Sequence, residues 1–420
     1  MGIINTKIFT RRNIILILFL VFLFLRIFVS LPYIYLNAEQ LKYLEPAKNF
    51  PYHLSTNNQP ELLHGPIYPY FIYFANLIIP KDYIAGIFVS FVSAVITFFI
   101  LYKLFMLLSN NFYVTFIALT LYTSSVEMII SSTKVLKESF LIMLVASTIY
   151  FFVKGLKQNN LKLFFISSVF GSLLALTADH VVFIFPTFIL SFIIFGSKKN
   201  LKYAILPFML TLLVYSSWIG FRAYQYSTNE FYPHNLDGGP VETKDFPFMA
   251  LFDPHNFKDW EPSLGDPAGF DLNIKRFAFN LGYMFNLAPF MIPRGLNFTS
   301  MEYLLLTKHV VYMVVIYLPF ALIALFSFLF VILDFIKTKK IKYNAELFVV
   351  CSFFVFVFPL FAKAGASPRM LYTSYIFLFL MIGFGLIRLF KKIKLLKLYV
   401  YRIIPLIIFF LLLFLPFWYY

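Results

Sequence analysis

Long runs without a single charge constrain this chain more than any other feature. Ile14–Leu25 and Ile403–Trp418 carry no ionisable side chain, and similar runs recur along the 420 residues. Runs near 20 residues match the ~30 Å hydrocarbon core of a bilayer. Composition closes the alternative: 61% of residues are hydrophobic and 13% charged, against roughly 45–50% and about 25% in soluble domains. So few polar residues cannot cover a soluble core. The chain reads as a polytopic integral membrane protein with the lipid bilayer as its solvent.

The periodicity predicts about eleven transmembrane helices, at 13–32, 83–106, 112–131, 138–154, 161–177, 181–196, 202–220, 309–333, 346–362, 371–390 and 402–418. The first run has a basic start at Arg11-Arg12. It is long, and Pro32-Tyr33-Ile34-Tyr35 is not a small-residue cleavage site, so it reads as an uncleaved span. Gly65–Pro80 is apolar but short and proline-punctuated, which predicts an interfacial or re-entrant segment. The net charge of +16 does not indicate nucleic acid, because its clusters lie between apolar runs. Arg11-Arg12, Lys154–Lys162, Lys198–Lys202, Lys337–Lys342 and Lys391–Lys397 all fall on one side under this count, which the positive-inside bias makes cytoplasmic. The composition, rich in Phe, Ile, Lys and Asn, fits an AT-rich bacterial genome and hence an inner membrane. Cys351, the sole cysteine, sits in an apolar run and has no intramolecular partner.

Three regions follow: a transmembrane module at 1–220 with a first outer loop at 33–80, an extracytoplasmic loop region at 221–308, and C-terminal transmembrane helices at 309–420. The second loop holds ten of the nineteen acidic residues and is rich in turn formers, such as Asp237-Gly238-Gly239-Pro240. Intramembrane charges commonly mark ion pathways. Here the ionisable groups instead gather near the outer span ends: Glu39, Glu45, His64, Glu127, Lys134, Lys137, Glu138, Asp179, His180, Lys363 and Arg369. A bundle could bring them into one site where a lipid-linked head group would sit.

The motifs around these residues carry a resemblance. Glu39-Gln40-Leu41-Lys42-Tyr43 in the first outer loop resembles the Asp-Glu-x-x-Tyr pattern of GT-C glycosyltransferases, the group of protein O-mannosyltransferases and lipid A aminoarabinose transferases. His64-Gly65-Pro66-Ile67-Tyr68-Pro69-Tyr70 is similar to that group's Pro-Pro-Leu-Tyr-Pro segment. Lys134-Val135-Leu136-Lys137-Glu138-Ser139, Thr177-Ala178-Asp179-His180 and Ser367-Pro368-Arg369-Met370-Leu371-Tyr372 resemble further outer corners in the same order. In three places the chain departs from the pattern: Glu39 replaces the usual Asp, Gln40 replaces a common second acid, and Gly65 replaces one of the first proline pair. The resemblance implies an all-α GT-C-type bundle, a sugar donor linked to polyprenyl phosphate, and a lipid, glycan or protein acceptor. It implies Glu39 as general base in an inverting transfer. Lys134, Lys137, Arg369 and Lys363 would bind the donor phosphate, and Gln40, Tyr43, His64, Tyr68, Glu138, Asp179 and His180 would contact substrate. A divalent metal stays open, with Glu45 or Glu138 as contributors, and no cofactor is certain. The chemistry suits these residue types: a carboxylate can take the acceptor's proton, and cations stabilise a leaving phosphate.

Plainer readings stand beside these. Glu39 can be a solvated loop acid, Lys134 and Lys137 interface anchors, and Glu138 a helical partner of Lys134. Asp179 can cap a helix starting at Val181, and Tyr68 and Tyr70 can belong to an aromatic belt. A glycan polymerase or ligase would rely on His234, His255, Arg276 and Arg294 in the large loop. A transporter or flippase for lipid-linked glycans is the other alternative.

Overall fold

The computed structural model describes residues 10–30, 38–48, 65–228, 318–338, 344–357 and 372–392. Their helices, in chain order, are α1 (Arg11–Ser30), α2 (Ala38–Lys48), α3 (Ile67–Asn76), α4 (Asp82–Ser109), α5 (Phe112–Ser124), α6 (Val126–Thr133), α7 (Glu138–Gln158), α8 (Leu161–Ala175), α9 (Ile184–Phe195), α10 (Leu201–Thr228), α11 (Leu318–Thr338), α12 (Asn344–Val357) and α13 (Tyr375–Lys392). Short 3₁₀ turns at Asp179–Phe183 and Lys198–Asn200 precede α9 and α10. The described residues contain no strand. A helix overlaps each of the first ten expected spans; the eleventh, 402–418, lies outside the described residues.

Exposure identifies the solvent. One face of α1 buries Leu18, Phe22, Leu25 and Arg26, while Leu16, Leu20, Phe24 and Ile27 stand more than half exposed. The same outward apolar display recurs in α8, at Phe165, and in α9, at Ile193. Water would penalise such surfaces, whereas lipid tails solvate them. By length and composition, three of the described helices (82–109, 138–158, 198–221) can cross a membrane, and α5 with α6 would make a fourth span if taken as one bent unit.

Lipid leaves little apolar drive for helices to associate, so close backbone approach and polar contacts hold membrane bundles together. The enclosed helix α7 packs against α4, α8 and α9, and α8 packs on α10. Gly171 of α8 lets Thr211 of α10 approach, since a Cβ there would lie 2.4 Å from the Thr211 hydroxyl. Gly383 and Gly385 of α13 admit the backbones of Val114 in α5 and Ile323 in α11. Ser167 donates to the Thr148 carbonyl across α8 and α7, at 2.9 Å. The Tyr122 hydroxyl donates to the Ala94 carbonyl, joining α5 to α4 at 3.2 Å.

Two sequence expectations change here. The span expected at 112–131 is broken: α5 ends at Ser124, Ser125 is extended, and α6 leaves at 57° to it. The helix in the span expected at 202–220 is also longer, since α10 continues to Thr228. The Gly65–Pro80 segment holds the ten-residue α3, too short to span, which buries Tyr68, Pro69 and Ile72 and packs on α2 and α4.

Candidate functional site

The connection between α6 and α7 is the centre of the site. Thr133 ends α6, Lys134 is extended (φ −123°, ψ 165°), and α7 starts at Glu138. Such a turn needs outside partners for its backbone groups, and two helices supply them, with a third bonded behind. The Val135 N–H donates to Gln40 Oε1 of α2 at 3.4 Å. Ser90 Oγ of α4 lies 3.1 Å from the Leu136 carbonyl and donates to it. Tyr68 of α3 sits 2.7 Å from Ser90 Oγ. A hydroxyl has one proton, so the consistent chain runs from Tyr68 to Ser90 to the Leu136 carbonyl. Gly86 of α4 completes the fit, for a Cβ there would meet the Val135 side chain at 2.7 Å.

Aromatic packing fixes this framework. Tyr43 of α2 meets Tyr68 edge-on at 5.3 Å between ring centroids, and Phe140 of α7 packs on Tyr68 from 5.8 Å. Burial raises the Tyr68 phenol above its ordinary range; the Ser90 hydrogen bond opposes this and the Glu138 charge adds to it. The phenol therefore keeps its proton and remains a donor. Tyr68 thus belongs to no aromatic belt. Fully enclosed and engaged with Ser90, it fastens α3 to α4.

Gly65 brings another corner into place. Its φ is +73°, and a Cβ there would stand 2.4 Å from the Leu176 carbonyl oxygen and 2.9 Å from the Thr177 backbone. The stretch before α3 therefore abuts the Thr177 corner. The Asp179 expectation is corrected: Ala178 precedes the 3₁₀ turn, Asp179 is its first residue, and α9 begins only at Ile184. Asp179 and His180 are placed by their backbone alone.

The remaining candidates divide clearly. Glu39 is the second residue of α2, beside Gln40, and its position is described by backbone. Gln40, Tyr43 and Glu138 are buried around the pinned connection, while Lys134 and Lys137 stand half-buried at its edges. Among the described residues, the Lys134 ammonium has no hydrogen-bond or ion-pair partner. The expected helical pairing of Lys134 with Glu138 does not form, because the helix breaks between them. His64, Lys363 and Arg369 lie outside the described residues. Among the described residues, no three His, Cys, Asp or Glu side chains converge where a metal ion could bind.

One residue at this end escaped the sequence reading. Arg26 of α1 is fully buried and reaches the α5–α6 break. At the opposite end Arg388 of α13 pairs with Glu346 of α12, which was likewise not expected. Both stand in runs whose hydrophobicity masked them.

Comparison with known proteins agrees with this arrangement. Residues 63–220 match the dolichyl-phosphate-mannose-protein mannosyltransferase family. The sequence has no match among curated proteins. The fold is similar to the oligosaccharyltransferase of Archaeoglobus fulgidus in its apo form, with TM-score 0.58, 13% identity, and coverage of 99% of this chain and 56% of that one. It is also similar to the oligosaccharyltransferase AglB of the same organism, in complex with an inhibitory peptide and a dolichol-phosphate, with TM-score 0.55, 13% identity, and coverage of 99% and 55%. The chain thus spans about half the length of the solved structures it matches. Residues 63–220 of this membrane protein thus resemble that mannosyltransferase family in sequence, and the chain as a whole shares the fold of the two solved oligosaccharyltransferases.

Proposed function

We propose that this chain transfers a sugar from a polyprenyl-phosphate donor to an acceptor hydroxyl on a lipid, glycan or protein, at the outer face of a bacterial inner membrane. The observation that carries this reading is Lys134, a cation without a partner among the described residues, on a connection that Gln40 anchors next to Glu39. In the reaction, the Glu39 carboxylate takes the acceptor's proton. The acceptor oxygen bonds to the anomeric carbon from the face opposite the phosphate, which inverts that centre. The bond from that carbon to the phosphate oxygen breaks, and polyprenyl phosphate leaves with the electron pair. Lys134 and Lys137, joined by Lys363 and Arg369, offset the charge that develops on the leaving phosphate. Glu138, Asp179, His180 and His64 border the sugar, while Tyr43 and Tyr68 hold the framework behind them.

Support for the donor class comes from the family match and from the dolichol-phosphate in the AglB complex. Glu39→Gln removes the base but keeps the side chain's shape, and should abolish transfer while the protein still folds. The check is mass spectrometry of lipids and surface glycans from cells lacking the gene, complemented with wild type or the variant. Product loss on deletion, restored by wild type alone, is the expected pattern. Full restoration by Glu39→Gln would remove Glu39 from the mechanism and bring the polymerase and flippase readings forward.

A further inference from the structure

Arg26 presents a physical puzzle: a guanidinium fully buried in a membrane helix, with no carboxylate in contact among the described residues. A charge there is costly unless something compensates it. It reaches three backbone oxygens, and the Tyr122 side chain also interacts with it. Nη1 donates to the Thr123 carbonyl at 3.2 Å and reaches the Phe22 carbonyl at 3.5 Å, while Nη2 reaches the Tyr122 carbonyl at 3.5 Å. The guanidinium lies over the Phe22 ring, 3.7 Å from its centroid, with the Tyr122 ring at 5.4 Å.

The Tyr122 and Thr123 carbonyls belong to the last turn of α5, where the chain breaks. The last carbonyls of a helix lack intrahelical donors and carry its negative dipole end. A forked cation is suited to such a place, because two of its nitrogens can serve adjacent oxygens. The neighbouring turn of α1 grips the far side of the break, with Leu25 packed on Ile129 of α6. The end of α1 thus clamps both arms of the 57° bend. Eight residues after Ser125 α6 ends, and Lys134 follows.

We propose that Arg26 is a positioning residue for the donor phosphate: by clamping the Tyr122 and Thr123 carbonyls it fixes the α5–α6 bend, and through it the place of Lys134. This rests on the phosphate role assigned to Lys134 above. The mechanism needs a cation held still where the leaving phosphate gains charge, and a clamped break supplies that without Arg26 touching the ligand.

The test uses the full chain in detergent, with undecaprenyl phosphate as the probe, its affinity measured by ligand-induced thermal shift. Arg26→Met and Lys134→Met should each weaken binding by about tenfold, and the double variant little further, because both act through one cation. Hydrogen exchange should rise at 122–136 in Arg26→Met and stay unchanged in α8 and α10. Additive losses would overturn the proposal by reducing Arg26 to general scaffolding. Unchanged binding in Lys134→Met would overturn it too, leaving no cation to position. Should Arg26→Met fail to fold, Arg26→Lys serves instead. A single ammonium cannot serve two carbonyls as a fork does, so a folded Arg26→Lys should show an intermediate loss of affinity, and wild-type affinity in it would reject the idea. Glu39→Gln should bind the probe normally, so failure of the base assignment is read separately.

Discussion

Gly65 shows how much one residue can decide. Its left-handed φ of +73° alone disfavours any residue with a Cβ, by roughly 1–2 kcal/mol. The 2.4 Å approach to the Leu176 carbonyl adds a clash with backbone, which cannot step aside as a side chain can. Gly65→Ala should therefore destabilise the protein by more than the backbone term, about 2–4 kcal/mol for strain and overpacking together. Detergent-phase unfolding monitored by circular dichroism would register the shift. Wild-type stability would mean that the stretch before α3 does not abut the Thr177 corner. Glycine at this position was visible in the sequence only as a departure from a proline pair. The need for it is visible only once Leu176 and Thr177 arrive from over a hundred residues away.

At the scale of elements, paired asparagines set where helices stop and start. Asn110 and Asn159 adopt left-handed conformations (φ 48° and 51°) that end α4 and α7. Asn111 then caps α5, accepting from the N–H groups of Tyr113 and Val114 at 2.9 and 3.4 Å, and Asn160 caps α8 through the N–H of Lys162 at 3.0 Å. Asparagine suits both roles, tolerating left-handed backbone and accepting from free N–H groups. Asn111→Ala should cost about 1 kcal/mol of stability and fray the start of α5. Hydrogen exchange at 112–115 measures it, and unchanged protection there would deny the cap. These helix limits were legible in the dipeptides themselves, because capping is local. The break at Ser125 was not, because no glycine or proline marks it. Its compensating donors come from Arg26, some 97 residues earlier.

Across the whole molecule, ionic contacts away from the candidate site tie the last helices together. Arg388 of α13 pairs with Glu346 of α12 and lies over the Phe330 ring of α11, 4.0 Å from its centroid. Both charged side chains are only 14% exposed. Removing one partner of an enclosed pair strands the other, at about 3–5 kcal/mol when burial is complete. Arg388→Met should accordingly lose on the order of 2–3 kcal/mol, since some exposure remains. Adding Glu346→Gln should recover part of that loss, because the stranded charge is then gone. Thermal unfolding of the single and double variants decides this. A double variant less stable than Arg388→Met would mean that the two residues do not act as a pair.

The sequence by itself determined that the chain is a bundle of apolar helices in a membrane. That follows from run length and missing charge, which depend on residue type against lipid and not on neighbours. The order of its motifs also pointed to the GT-C class. Lys134 and Glu138 stood out as ionisable groups at span ends, and the motif resemblance added Gln40 and Tyr43. Tertiary structure decided what these residues touch. It pinned Val135 to Gln40 and Leu136 to Ser90, and it turned Tyr68 inward. It also set Arg26 on two carbonyls of a broken helix. Contacts of this kind run through backbone atoms that every residue carries, so no side-chain pattern announces them, and only the packing of the bundle brings them together.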